Sequence, residues 1–289
     1  MKIQTVVLPY NTEGKGRGGA SGPAVLIRAG VLEEMRRLGH EALEPLTVEL
    51  TPAEEAEYGA WNRVGLAGSH LCRLVEKARR QGAFVLGLLA DCNGVLGVLG
   101  GLQRSLPPEQ RVGLVYVDAH GDYNTPETTS SGMLGGMPVA VATGKCLHRL
   151  RRQNGLETPL RFEDIVLAGL RDLEPLERAA IMEDRLTTLS ERDLIGRSAV
   201  LERALDSLCS NTDAVYIHVD LDILDPAVAP AAGMPAPGGL TGAELGLALR
   251  MMLGYSKVAA LSLVSYKADR DADERTLHEV VKALLAAFS

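Results

Sequence analysis

Aromatic side chains are scarce in this chain: three Phe, one Trp and seven Tyr among 289 residues, or 4%. A core must therefore rest on Leu, Val, Ala and Ile, which a hydrophobic content of 46% supplies in quantity. The four cysteines, Cys72, Cys92, Cys146 and Cys209, form no Cys-x-x-Cys pair. That favours reduced thiols in a cytoplasmic protein over a disulfide framework. No apolar run approaches the roughly 18 residues of a membrane span, so no membrane partner is expected. There is no basic surplus either. The net charge is −7, and outside the Lys145–Arg152 segment no run of Lys or Arg exceeds a pair, which argues against a nucleic-acid surface. Low-complexity linkers and internal repeats are missing. The opening segment, Met1 to Leu8, is too short in apolar length for a signal peptide and reads as a first strand. The length suits one large α/β domain spanning residues 1–289.

What is present is a regular alternation. Strand-like apolar runs occur at Lys2–Leu8, Ala83–Leu89, Arg111–Val117, Ile165–Ala168, Ala214–Val219 and Val258–Val264. Helical periodicity marks Pro23–Leu38, Val64–Arg80, Val95–Arg104, Pro175–Glu183, Ser190–Leu208, Thr241–Leu253 and Ala272–Phe288. Nearly continuous apolar strands are expected where both faces are covered. The pattern predicts one mostly parallel sheet in a three-layer α/β/α arrangement. In such sheets sites form at the carboxyl ends of the strands. Polar residues stand at three of those ends: Asp91-Cys92-Asn93, Asp118-Ala119-His120-Gly121-Asp122, and Asp220-Leu221-Asp222.

Residues i, i+2 and i+4 of an extended strand end point to one side. Asp118, His120 and Asp122 can thus converge on one cavity, and so can Asp220 and Asp222. Carboxylates packed together repel strongly without cations, and a pair of divalent ions is the usual remedy. Oxygen and imidazole donors suit Mn, Mg, Fe or Zn. The bland alternative, that these acids cap helices or shape turns, does not explain why apolar strands run directly into both blocks. Asp225, before Pro226, does read as a turn residue. A phosphohydrolase using Asp220 and Asp222 as a Mg-binding Asp-x-Asp is a weaker alternative. No phosphate-cradling Gly-rich loop precedes a helix, and Asp-x-His-x-Asp is left unexplained.

Gly18-Gly19-Ala20-Ser21-Gly22-Pro23, the Asp118–Pro138 block, Gly169-Leu170-Arg171-Asp172 and Asp220–Thr241 together resemble the arginase (ureohydrolase) family along nearly the whole chain. In the loop Asn124 to Thr129, in Leu134 to Met137 and in Ile217-His218 the nearest likeness is to the N-omega-hydroxy-L-arginine amidinohydrolase branch. The resemblance implies a binuclear manganese centre, two Mn2+ per chain, hydrolysing a guanidino or modified guanidino C–N bond of an amino-acid-like small molecule. Asp118 and Asp220 would bridge both metals. Asp122 and Cys92 would complete the first site, and His120 and Asp222 the second. The implied mechanism is attack by a metal-bridging hydroxide, with a proton delivered to the leaving amine. Asp122 and His120 are the candidate catalytic residues. Asn124, Ser131 and Glu174 fall where the family binds substrate, although Asn124 reads equally as a turn residue before Thr125-Pro126. Relatives are often homo-oligomers.

Four positions depart from the family pattern. Cys92 stands in place of a ligand histidine. A thiolate favours Zn or Fe over Mn and adds negative charge, so the first site is expected to be weakened or altered; otherwise Cys92 is a small buried hydrophobe. Ser265 replaces a carboxylate that pairs with guanidinium. Gly135 replaces a loop histidine, and Met234 a threonine. These departures motivate a second reading, a catalytically silent homologue that binds metal or an amino acid in a regulatory or structural role. His218 is expected to support a ligand carboxylate rather than bind metal. Lys267 is expected to be a solvated lysine in a charged loop, the other option being entry into the cavity mouth. His40, His70, His148 and His278 are given no chemistry, and Cys72, Cys146 and Cys209 are expected as core or surface thiols.

Overall fold

The computed structural model describes residues 1–196 and 198–289. The strands are β1 (Lys2–Leu8), β2 (Tyr10–Asn11), β3 (Gly14–Lys15), β4 (Glu41–Ala42), β5 (Leu46–Thr47), β6 (Phe84–Leu89), β7 (Val112–Val117), β8 (Ile165–Ala168), β9 (Thr187–Leu189), β10 (Ala214–Asp220) and β11 (Val258–Val264). Nine of them form one sheet in the order β4-β1-β6-β11-β10-β7-β8-β9, with β5 also paired to β1. Every pairing within it is parallel. β2 and β3 form a separate antiparallel ribbon. The central strands β6, β7 and β10 are buried along their whole length, as two-sided coverage requires.

The helices are α1 (Gly22–Arg28), α2 (Val31–Arg37), α3 (Pro52–Glu55), α4 (Ala60–Arg80), α5 (Gly94–Ser105), α6 (Pro138–Ala142), α7 (His148–Gln153), α8 (Pro175–Glu183), α9 (Ala199–Asn211), α10 (Gly242–Leu253) and α11 (Arg275–Phe288). Helices α4, α5 and α6 pack Leu71, Leu99 and Val139 against one face of the sheet. Helices α2, α9, α10 and α11 pack Met35, Leu205, Leu249 and Val280 against the other. The three-layer α/β/α arrangement and the parallel sheet agree with the sequence pattern. Among the described residues no helix is long and apolar enough to cross a membrane.

Local differences have local causes. The periodic stretch Pro23–Leu38 is two helices, because Gly30 turns the chain at φ +83° between α1 and α2. The stretch Ser190–Leu208 is a 3-10 turn at Glu191–Leu194 followed by α9; Arg197 inside it lies outside the described residues. Thr241 is the N-cap of α10 rather than its first residue: its hydroxyl accepts the Glu244 amide while the Glu244 side chain accepts the Thr241 amide, a capping box. The helix expected from Ala272 begins at Arg275. β4, β5 and β9, two or three residues each, were not among the expected strands.

Helices α4 and α5 approach closely because small residues line their seam. A Cβ on Gly101 would lie 2.5 Å from Val75 Cβ and 2.6 Å from the Cys72 carbonyl oxygen. Alanine gains about 1 kcal/mol of helix propensity over glycine, but overpacking against a stiff β-branched side chain and a backbone oxygen costs about 1–3 kcal/mol. The clash should win. Gly101→Ala is therefore expected to lower the denaturant midpoint of unfolding, and an unchanged or raised midpoint would show that the seam can open at no cost.

Candidate metal centre

Four adjacent strands, β6, β11, β10 and β7, end on one edge of the sheet and carry the polar blocks with them. Asp91 and Cys92 follow β6, Asp118 to Asp122 follow β7, Asp220 ends β10 and Ser265 follows β11. β11 lies between β6 and β10, yet Cys92 Sγ reaches across to within 2.8 Å of Asp220 Oδ2. Ser265 lies beside both, its hydroxyl 4.0 Å from Cys92 Sγ. It sits at φ +68°, and its hydroxyl donates to the same Asp220 oxygen at 2.6 Å.

Glycines press the surrounding backbone onto the site. A Cβ on Gly19 would stand 2.9 Å from the Ala90 carbonyl oxygen, and one on Gly22 would stand 2.2 Å from that of Tyr266. The Gly18–Pro23 motif thus packs on the residues flanking Cys92 and Ser265. A Cβ on Gly233 would meet Ser265 Cβ at 2.8 Å. Arg171 fastens the loop after β10, with its guanidinium donating to the carbonyl oxygens of Asp222, Ala236 and Pro237.

Two groups of donors result. Cys92, Asp118 and Asp220 each offer an atom within 4.8 Å of the others, and so do Asp118, His120 and Asp222. Asp118 belongs to both groups. His120 Nδ1 lies 3.2 Å from Asp118 Oδ1 and 3.3 Å from Asp222 Oδ2, while Nε2 faces Asp172 at 3.7 Å. Three carboxylates are fixed by backbone amides. Asp118 accepts from His120 N at 2.7 Å, Asp220 from Asp222 N at 2.9 Å, and Asp222 from Ala119 N at 3.3 Å. Asp122, expected as a ligand of the first site, belongs to neither group; it lines the same cavity at φ +46° and accepts from the Tyr116 hydroxyl.

Electrostatics follow from this crowding. Asp118, Asp122, Asp220 and Asp222 are all buried. Burial, then neighbouring carboxylates, push Asp118 and Asp220 well above the ordinary carboxylate range. Burial pushes Asp122 to about 7. Burial also opposes ionisation of Asp222, but the hydrogen bond and charge of His120 outweigh it and hold that carboxyl low. His120 resists its own burial through Asp118 and Asp222 and is lifted to about 12. Burial and the adjacent aspartates push the Cys92 thiol well up. A protein that concentrates acids until they hold protons has built a site for positive charge. Neighbouring ligands of one zinc-sized ion with S and O donors stand roughly 3–4 Å apart, given bonds of about 2.0–2.3 Å. The Cys92 distances to Asp220 and Asp118, 2.8 and 4.0 Å, bracket that spacing, so the donor set fits divalent ions.

The same residues line a cavity of about 510 Å³, together with Asn124, Ser131 and Glu174. Asn124 is buried, and its Oδ1 accepts from the Thr128 hydroxyl at 2.9 Å, so it both shapes its loop and faces the cavity. The Ser131 hydroxyl accepts from Met133 N at 3.2 Å. Glu174 Oε2 accepts from Ser130 N at 3.2 Å. A Cβ on Gly135 would meet nothing within 4 Å, so the space there is open.

Two expectations are corrected. Lys267 is not a solvated loop lysine; it lines the cavity, and its ammonium donates to the Gly233 carbonyl at 2.6 Å. Among the described residues His218 hydrogen-bonds no ligand carboxylate directly. Its Nδ1 lies 2.9 Å from the Tyr216 hydroxyl, its Nε2 has no partner among the described residues, and burial lowers it to about 3. Asp225 shapes its turn as expected, accepting from Ala227 N at 2.8 Å. Tyr116 was not singled out from sequence. The signal was its place two residues before Asp118 in a strand, hence on the same face.

Comparison with known proteins places this geometry in context. The model of the arginase family matches residues 2–289. The chain is 30% identical over 294 residues to the arginase of Bacillus caldovelox, covering 99% of this chain and 97% of that protein. The solved structure of arginase from Bacillus cereus superimposes with a TM-score of 0.88 at 28% identity, over 100% of this chain and 99% of that one. Arginase from Bacillus subtilis gives the same score and identity.

The raised carboxylates set a pH dependence. The folded metal-free protein holds protons on Asp118, Asp122 and Asp220 that the unfolded chain releases near pH 4. The site's contribution to stability therefore falls as pH rises from about 4 toward 7;. His120 adds the same sign above about pH 6.5, the unfolded imidazole value. Divalent ions bound here would replace those protons, so the stabilisation they give should grow with pH. Thermal unfolding with chelator and with excess manganese, at about pH 5.5 and pH 8, is expected to show a gap in Tm that widens at the higher pH. A gap that stays constant or narrows would contradict this reading of the site.

Proposed function

The chain belongs to the arginase family, and from that premise we propose that it is a metal-dependent hydrolase of a guanidino or modified guanidino C–N bond in an amino-acid-like substrate. The observation that carries the reading is the pair of donor groups sharing Asp118 at the base of the cavity. Cys92, Asp118, Asp122 and Asp220 would hold one divalent ion, and Asp118, His120, Asp220 and Asp222 the other, with manganese as the family's usual metal. Bound ions of this kind supply Lewis acidity and acidify water toward neutral pH.

The chain's own residues would do the rest. Acidic side chains dominate the cavity wall, with Glu13, Asp91, Asp172, Glu174 and Glu177 beyond the ligand set. Lys267 is the one lysine or arginine among the described lining residues. Such a field concentrates a cationic substrate. Asn124, Ser131 and Glu174, at the wall, are the proposed contacts for the amino-acid end. Asp122, buried at the cavity wall, is the proposed carrier of the proton to the departing amine. His120 turns Nδ1 toward Asp118 and Asp222, where the ring would join them as a ligand of the second ion.

Cys92 and Ser265 bear on the substrate and the metal. Ser265 spends its hydroxyl on Asp220 and leaves no carboxylate for a fully charged guanidinium. A less basic hydroxyguanidine, as in N-hydroxyarginine, depends less on that partner and is the candidate substrate. Cys92 is a softer donor than imidazole and shifts the first site toward Zn or Fe. The competing reading is a silent homologue that binds metal without turnover.

Manganese-loaded protein assayed for amine and urea-type products is expected to turn over N-hydroxy-L-arginine faster than L-arginine, with Asp220→Asn abolishing both. Absence of turnover on any guanidino compound, with metal bound, favours the silent homologue. Cys92→His is expected to raise manganese retained per chain after dialysis; unchanged retention would remove Cys92 from the first site.

A further inference from the structure

A buried column of rings lies beneath the carboxylates. Tyr116 in β7 and His218 in β10 are register partners in adjacent strands. Their rings stack at 4.6 Å with planes 8° apart. Tyr216 meets His218 edge-on at 5.9 Å and reaches its Nδ1 with its hydroxyl. All three side chains are fully buried. At the upper end of the column the Tyr116 hydroxyl donates to Asp122 Oδ2.

This bond singles out Asp122 among the four aspartates. Asp118 and Asp220 each accept from an amide of their own strand-end turn, and Asp222 accepts from Ala119 N of the turn after β7. Among the described residues, no donor other than the Tyr116 hydroxyl hydrogen-bonds the Asp122 carboxylate. Asp122 sits on loop backbone at φ +46°, so neither strand geometry nor an amide fixes its side chain. A carboxylate with one oxygen held by a phenol presents the other to an ion. The phenol is itself fixed, because its ring is clamped flat against the His218 ring.

We propose that Tyr116 is a positioning residue for the first metal: its hydroxyl occupies Asp122 Oδ2 and leaves Oδ1 as the oxygen offered to the ion, with the stack on His218 holding the phenol in register. This rests on the two-metal reading given above. A tyrosine serving only to fill the core would be replaceable by phenylalanine without consequence for metal.

Tyr116→Phe keeps the ring and its stack and removes the hydroxyl alone. Manganese binding is followed by equilibrium dialysis, with the circular dichroism of the metal-free chains as a check on folding. The weaker-site dissociation constant should rise about 10- to 100-fold, as for other groups that orient a metal ligand, while the second site is unchanged. In an Asp122→Asn background, Tyr116→Phe should cause no further loss, because it acts through Asp122. Tyr216→Phe, which removes a buried phenol of the same column that does not reach Asp122, should retain the parent isotherm. The proposal is overturned if Tyr116→Phe matches the parent, if its effect is equally large in the Asp122→Asn background, or if Tyr216→Phe loses manganese to the same extent. A parent that binds no divalent ion overturns the metal reading itself; a parent that binds two, with Tyr116→Phe unchanged, overturns this proposal alone.

Discussion

Repulsion among buried carboxylates is the constraint on which the site depends. Two unit charges about 4 Å apart interact by roughly 4 kcal/mol at an effective dielectric of about 20. Asp118, Asp122, Asp220 and Asp222 crowd one buried cleft, so full ionisation would consume much of the 5–15 kcal/mol margin typical of a folded domain. The metal-free chain relieves this with protons and with the charge of His120. Divalent ions would relieve it without protons. The fold supplies the rigidity that keeps the acids together: they stand on the ends of parallel strands whose interiors are packed on both faces.

The sheet order explains why the ligands meet. β6 and β10 are separated by β11, so Cys92 meets Asp220 across the end of that strand. The Ser265 hydroxyl adds a second donor to the same Asp220 oxygen. Ser265 places a neutral hydroxyl, not a charge, beside Cys92 and Asp220. Open space at Gly135 and the inward ammonium of Lys267 alter the cavity wall in the same region.

Much of this was legible in the sequence because the informative patterns are local. The long apolar runs located β1, β6, β7, β8, β10 and β11 to within a residue at either end, and their polar successors lie on one edge. What was not legible is non-local or short. β4 and β5 have two residues each, too few to show a period, and are strands only because β1 offers an edge. The break at Gly30 was hidden because apolar spacing continues across it. Lys267 looked solvated among Asp269, Arg270 and Asp271; its direction is set by the Gly233 carbonyl, far away in sequence. His218 pointed toward ligand support by proximity to Asp220. The neighbouring strand decides otherwise by placing Tyr116 against its face.

The central claim is that these strand ends share a cleft made for two divalent ions. Crystals grown with manganese and measured at its absorption edge test it most directly. Two anomalous peaks are predicted, one beside Cys92 and Asp122 and one beside His120 and Asp222, with Asp118 and Asp220 between them. A map with no peak in this cleft, or with manganese bound only at other acidic positions, would contradict the account.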